Sequence, residues 1–229
     1  MTLSKITLNH EHITDFAQAR NDELAKVTSD WVLFVDADEV VTPALEKEIA
    51  AAIKSDHFDA YFIPRLDTFL GKDLRHGETG GAKFIRLARR DFGKWERPVH
   101  EVWVGKGKVG SLTNPLLHTP HPTIAIFLDK INRYSTIEAE YRFKEGKHSS
   151  LFRIALYPIG KFKYNYIWRL GFLDGVPGTI MAIMMSFHSY LTWTKLYLLW
   201  HKNLPASKIL IAIWPNRHTQ REIKFLSAG

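Results

Sequence analysis

Apolar and polar positions alternate along this chain in ways that mark out short strands and longer helices, and one run fits neither pattern. Trp31-Val32-Leu33-Phe34-Val35 is apolar throughout, with Ser29-Asp30 before it and Asp36-Ala37-Asp38-Glu39 after it. A strand with one wet face alternates, so an unbroken run reads as a strand buried on both faces, as in the interior of a parallel sheet. Residues 5–8, 58–65 and 83–90 read as further strands, and residues 102–109 as strand and turn. Helical spacing predicts a helix over residues 16–25. A second helix covers residues 42–54, with Thr42 as N-cap and Pro43 at the first helical position. A third starts at Thr123, carries Ile124, Phe127, Leu128, Ile131 and Tyr134 on one face, and ends at Gly146. Residues 71–81 are polar and glycine-rich. They lack Walker spacing and a following helix, so they read as a mobile loop on the acceptor side of a site, not as a phosphate cradle.

The last third changes character. Residues 176–194 contain no Asp, Glu, Lys or Arg, which is just long enough to cross a bilayer, but Pro177, Gly178, Ser186, His188 and Ser189 dilute them. The favoured reading is a helix lying in the membrane interface or packed on the preceding domain beside the membrane, with a true span and a soluble core helix as alternatives. Residues 209–214 are apolar but too short to span, and the final residues are basic. Charge sharpens this division. Residues 142–229 hold 13 Lys/Arg against 3 Asp/Glu, whereas residues 1–141 hold 18 against 21. Basic residues interleaved with Trp and Tyr fit nucleic acid or an anionic membrane, and the long uncharged stretch favours the membrane. No nucleic-acid partner is expected.

The chain of 229 residues is long enough for one or two domains with a proper core. It has no cysteine, which excludes disulfides, thiolate zinc sites and thiol nucleophiles. Residues 1–20 lack an apolar core region, so no signal peptide is expected.

The candidate chemistry lies at the carboxyl end of the apolar strand, where open α/β sheets bind their ligands. If the extended conformation continues, Asp36 and Asp38 point to one side. Paired hard oxygens suit Mg²⁺ or Mn²⁺ with a phosphate as co-ligand. A solvated turn is the bland alternative. An EF-hand fails because Val41 and Lys47 occupy its glycine and bidentate-glutamate positions. A haloacid-dehalogenase-type phosphatase would also place Asp-x-Asp here, but no later Asp-Asp or Gly-Asp-x-x-x-Asp supplies its other metal ligands. The pair His10/His12 reads as solvated loop histidines.

The order helix, Thr28-Ser29-Asp30, strand, Asp36-Ala37-Asp38-Glu39, Pro43, helix resembles the inverting glycosyltransferases of family 2, those of lipopolysaccharide core and related cell-surface glycans most of all. The resemblance extends to about residue 200. It implies an α/β fold of the GT-A, Rossmann-like nucleotide-diphospho-sugar type, with a partial catalytic domain over residues 1–146 and a basic, aromatic, helical membrane-associating region over residues 147–229. Two βα units that the family places before residue 5 are not found, so the sheet is expected to be N-terminally incomplete, the chain being either a fragment or a half completed by a separately encoded N-terminal half. The activity of this chain alone is left open, and a phosphatase or a non-catalytic membrane-bound subunit stay as rival readings.

The resemblance also assigns roles. Asp36 and Asp38 bind Mn²⁺ or Mg²⁺ and the donor diphosphate. Arg20 contacts the nucleotide, or else is a helix-surface cation paired with Glu23 or Glu11. Glu101, within Val99-His100-Glu101, is the general base, with Glu96 in reserve; its bland alternative is a carboxylate paired with Arg97 or Arg86. His118 ligates the metal, touches diphosphate or is structural. Lys130 faces the donor phosphates or the acceptor, or is simply solvated. The expected partners are a nucleotide-sugar, in particular a UDP-sugar, a glycolipid acceptor and the membrane surface, with the protein on the cytoplasmic side, peripheral on the inner face of the cell membrane.

Overall fold

The structure is a computed structural model that describes residues 1–8, 13–55 and 57–202. His10, His12 and the apolar residues 209–214 lie outside the described residues. The apolar run forms β2 (Trp31–Asp36), and all six of its residues are buried. Its two faces are covered by different elements. Trp31, Leu33 and Val35 pack with Leu45, Ile49 and Ile53 of α2 (Pro43–Ser55), while Val32 and Phe34 pack with Ala17 of α1 (Phe16–Leu24) and with Trp95 and Trp103. The caps read from the sequence form, since Thr42 Oγ1 accepts from Leu45 N at 3.2 Å and Thr123 Oγ1 from Ile126 N at 3.2 Å.

The sheet around β2 is mixed, not parallel as the apolar run implied. β1 (Leu3–Leu8) pairs with it in parallel and forms one edge, but β6 (Lys83–Arg89) pairs on its other side antiparallel. Burial on both faces reports the layers above and below a strand, not the direction of its neighbours. The eight-stranded order is β1-β2-β6-β4-β10-β3, where β3 is Glu39–Val41, β4 Ala60–Phe69 and β10 Leu116–His118. β5 (Lys72–Leu74) and β9 (Val109–Ser111) also pair with β4, and β7 (Gly93–Glu96) with β8 (Val102–Gly105) makes a separate hairpin.

β4 runs past Pro64, further than the sequence reading placed its end. Arg65 N donates to Ala82 O across to β6, so the Pro64 nitrogen faces the other side. There it falls between β9, which pairs Ala60 to Phe62, and β10, which pairs Arg65 to Asp67. No ladder bond is lost where no strand stands opposite.

α3 (Ile124–Lys144) and α5 (Gly175–Lys202) pack together, α5 also reaches β5, and α4 (Leu151–Lys163) packs against α5. One apolar cluster joins Phe69 and Leu74 of the sheet to Phe127 and Ile131 of α3 and to Met181, Met184 and Leu191 of α5. Lys195 Nζ, buried at this contact, donates to Asn132 O and Oδ1, Ser135 Oγ and Thr136 Oγ1 at 2.7–2.8 Å, and burial pushes its pKa down to about 8. The charge-free stretch of α5 therefore gives one face to α3 and the sheet.

Glu48 of α2 clamps the loop before β10. Its oxygens accept from the backbone N and side chain of both Thr113 and Asn114 at 2.8–2.9 Å. Burial opposes the charge, but these donors outweigh it and hold the carboxyl below 4.5. Glu48→Gln is expected to cost about 1 kcal/mol at pH 7. A carboxylate with a depressed folded pKa stabilises above its unfolded value, so the gap in melting temperature between the two proteins should close as pH falls below 4.5. A gap independent of pH would assign the loss to packing instead.

Candidate active site

The strand carries Asp36 to the edge of the core and then turns at once through Ala37-Asp38 into β3. That turn separates the two acids. Asp36 stays behind, 5 % exposed, with Oδ1 accepting from Arg20 Nη2 at 2.6 Å and Oδ2 from Arg86 Nη2 at 2.9 Å. Asp38 stands further out, its backbone O accepting from Thr119 N at 3.0 Å, which ties the turn to the end of β10.

Around Asp36, two arginines join two carboxylates. Arg20, on α1, is fully buried. Its Nε and Nη2 both donate to Glu101 Oε1, at 3.1 and 2.8 Å, and its guanidinium lies 4.6 Å from the Trp95 ring centre. Arg86 Nη1 is 3.7 Å from the same oxygen. Glu101 reaches this position from a sharply bent loop. Arg97 (φ 75°) and His100 (φ 52°) both take the left-handed conformation, which costs non-glycine residues roughly 1–2 kcal/mol each. Buried Val99 between them anchors the bend.

Asp38 has a different set of neighbours. Lys130 Nζ of α3 lies 3.1 Å from its Oδ2 and 2.8 Å from Pro120 O. His118 Nε2 lies 3.5 Å from its Oδ1, while Nδ1 of the same ring is 2.8 Å from Asp67 Oδ1. The β10–β4 register sets His118 directly beside Asp67, and Arg65 Nε in turn pairs with Asp67 at 2.8 Å. Burial works against every charge here. His118 and Lys130 overcome it and hold Asp38 far below the usual carboxylate range, and bonds to Asp38 and Asp67 hold the His118 pKa above 6.5. His121 stacks on Phe127 with ring centres 3.6 Å apart; burial and the nearby Lys130 push its pKa down to about 4.

These groups open onto one cavity of about 530 Å³. Asp36, Asp38, Glu101, His118 and Lys130 all line it. Arg20 does not; it supports Asp36 and Glu101 from within the core, Glu23 pairs with Lys26 instead, and Glu11 lies outside the described residues. Glu96 sits on β7 away from the cavity, its half-exposed side chain 3.4 Å from Lys94. Arg97 pairs with Glu138 at 3.7 Å. Sequence reasoning missed Asp67 as the partner of His118, and the far wall made by Met181, Met185 and His188 of α5. No local signal announces either, since both depend on which distant elements become neighbours. A haloacid-dehalogenase-type phosphatase would need Asp36 as its nucleophile, and both oxygens of Asp36 are held by arginines.

Several proteins are similar to this chain in sequence, among them three glycosyltransferases. A lipopolysaccharide core biosynthesis glycosyltransferase, LpsC, of Rhizobium meliloti is 27 % identical over 202 residues, covering 84 % of this chain and 73 % of that protein. Uncharacterized glycosyltransferases of Rickettsia typhi and Rickettsia prowazekii are each 29 % identical over 181 residues, which is 73 % of this chain. The match spans only 62 % of the length of either Rickettsia protein. The family model of glycosyl transferase family 2 matches residues 5–133. That is more than half of the chain and takes in both acids of the turn, Glu101, His118 and Lys130, so the chain belongs to glycosyl transferase family 2.

Proposed function

We propose that this protein transfers a sugar, with inversion at the anomeric carbon, from a nucleotide-sugar such as a UDP-sugar to a glycolipid acceptor in the assembly of lipopolysaccharide core. The observation that carries this reading is a single cavity lined by Asp38, with Lys130 and His118 beside it, and by Glu101. The acceptor class is taken from the name of the Rhizobium relative.

Glu101 takes the proton of the acceptor hydroxyl as that oxygen bonds to the anomeric carbon. The bond from that carbon to the diphosphate breaks, and its electron pair leaves with the nucleoside diphosphate. Attack on the face opposite the leaving group inverts the centre. In this reading Lys130 Nζ, 3.1 Å from Asp38 Oδ2, donates to a phosphate oxygen of the sugar donor.

Among the described residues no group of three or more His, Asp or Glu forms a metal cage. The donors present fit an ion shared with substrate instead. Asp38 offers carboxylate oxygen, and His118 offers Nε2 from a ring that Asp67 orients, as carboxylates behind metal-bound histidines do. Mg²⁺ and Mn²⁺ are bound in this manner, by one or two side chains together with substrate phosphates. Bound there, the ion would neutralise charge on the departing diphosphate. The arginines on Asp36 give that residue a positioning role behind Asp38.

We place the protein on the inner face of the cell membrane, peripherally. Among the described residues no single helix is long and apolar enough to cross a membrane; only Leu151–Trp168 with Gly171–His201, bent by 69°, reach that mark together.

Asp38→Asn tests the donor site. It is expected to weaken Mn²⁺-dependent binding of nucleoside diphosphate by at least the roughly 10–100-fold that loss of an outer-shell partner costs, with the fold retained. Calorimetric titration of UDP with and without Mn²⁺ reads this directly. Affinity equal to that of the native protein under both conditions would remove Asp38 from the site.

A further inference from the structure

The segment between α4 and α5 has its polarity inverted. Within residues 164–174 the buried side chains are polar, Asn165 and Asp174, while Ile167, Trp168, Leu170, Phe172 and Leu173 point outward, Trp168 at 73 % exposure. The polar interior faces the loop at residues 76–80. Asn165 Nδ2 donates to Glu78 Oε2, and Asp174 accepts from His76 N. Arg169 donates to the carbonyl oxygens of Gly77 and Gly80. α4 continues the outward surface, with no buried residue of its own and with Leu151, Phe152, Leu156 and Ile159 exposed. A water-facing surface does not carry a contiguous apolar patch of this extent without a partner.

Charge selects the partner. Residues 147–202 contain seven Lys/Arg and a single acid, Asp174, whose carboxylate is buried. Arg153 and Lys163 lie in the same segment as the apolar side chains, and no acid occurs between residues 147 and 173. A second copy of the chain would bring two such cationic faces together, which disfavours self-association. An anionic bilayer satisfies both features: acyl chains for the apolar side chains and phosphate headgroups for the cations, with Tyr164 and Trp168 of the type that settles at that boundary.

We propose that the outward face of α4 and of residues 164–174 docks the protein on an anionic lipid bilayer, with Trp168 and Leu173 entering the acyl boundary. This deepens the glycolipid reading given above and rests on it for the acceptor. The inner face of the same segment holds Glu78 and Thr79 in the wall of the cavity. Docking therefore fixes how the cavity faces the membrane in which a lipid-linked acceptor resides.

The test is flotation of the 229-residue protein with phosphatidylcholine vesicles and with phosphatidylcholine–phosphatidylglycerol vesicles, without donor or acceptor. The native protein should float with the anionic vesicles, and less so as salt is raised. The double variant Trp168→Glu/Leu173→Glu should bind roughly tenfold more weakly or worse, and Phe152→Glu on α4 should also lose affinity. Val104→Glu, on the exposed side of β8, should bind as the native protein does. Melting temperatures check that each variant folds, and the α4 variant serves if the double one does not. Native-like binding by the folded Trp168/Leu173 and Phe152 variants would overturn the proposal by assigning binding elsewhere, for instance to residues 203–229. So would failure to bind either vesicle, or a native dimer in light scattering that the double variant abolishes. The assay involves no turnover, so its failure leaves the glycosyltransferase reading standing. Failure of transfer to a water-soluble acceptor would in turn leave the docking surface standing.

Discussion

Glu101→Gln is expected to lower the rate of sugar transfer by about 10²–10⁴-fold, the usual cost of removing a general base, while donor affinity stays close to native. The geometry argues for this split. Both hydrogen bonds from Arg20 fall on Oε1, so Oε2 carries neither of them and can meet an acceptor hydroxyl. Glutamine keeps the shape and can still accept from Arg20, but it cannot take a proton at neutral pH. Asp38, Lys130 and His118, which the donor reading uses, are left untouched. Turnover and donor titration on the intact protein, both run well below its melting temperature, separate chemistry from binding. Glu96→Gln, altering a carboxylate away from the cavity, should leave turnover near native. An active Glu101→Gln beside an inactive Glu96→Gln would reverse the assignment, and matching losses of donor affinity and rate in Glu101→Gln would show that the residue binds rather than reacts.

What the sequence makes legible is local. Five consecutive apolar residues announce β2, Thr42-Pro43 and Thr123 announce helix starts, and the acids after β2 mark the end of the strand where ligands gather. Each of these signals lies within a few residues of the feature it encodes. The turn after Asp36 is local as well, yet it stands in the sequence only as an alternative, because a period-two pattern carries no warning of where extension stops. The surroundings of Arg20 are hidden for a different reason. An arginine on a helix reads as solvated or ligand-binding, and only the packing of α1 beneath β7 and the bent loop at residues 97–101 shows that it is buried between two acids from elsewhere in the chain. Asp67 meets His118 through a register between strands 51 residues apart, which no spacing rule supplies. The inverted polarity of residues 164–174 shows only once the inside of that turn is known.

Arg20→Met is expected to destabilise the fold by about 3–5 kcal/mol, the scale of breaking a buried ion pair from one side. Two acids would lose a partner at once, Asp36 at 5 % exposure and Glu101 with its side chain 13 % exposed. Arg86 remains beside both, but its distance of 3.7 Å to Glu101 is no substitute for a pair of direct bonds. Arg20→Lys keeps the charge without the planar fork that reaches two carboxylates, so it should recover only part of the loss. Pairing Arg20→Met with Glu101→Gln removes a charge of each sign, and the double variant should cost less than the sum of the two single changes, because the neutral amide no longer needs a cation. Urea unfolding of the native protein, the single variants and the double variant gives the coupling directly. A residue that contacted the nucleotide would behave otherwise: Arg20→Lys would leave the unfolding midpoint unchanged and weaken donor binding alone. That pattern would move Arg20 out of the core network and into the donor site.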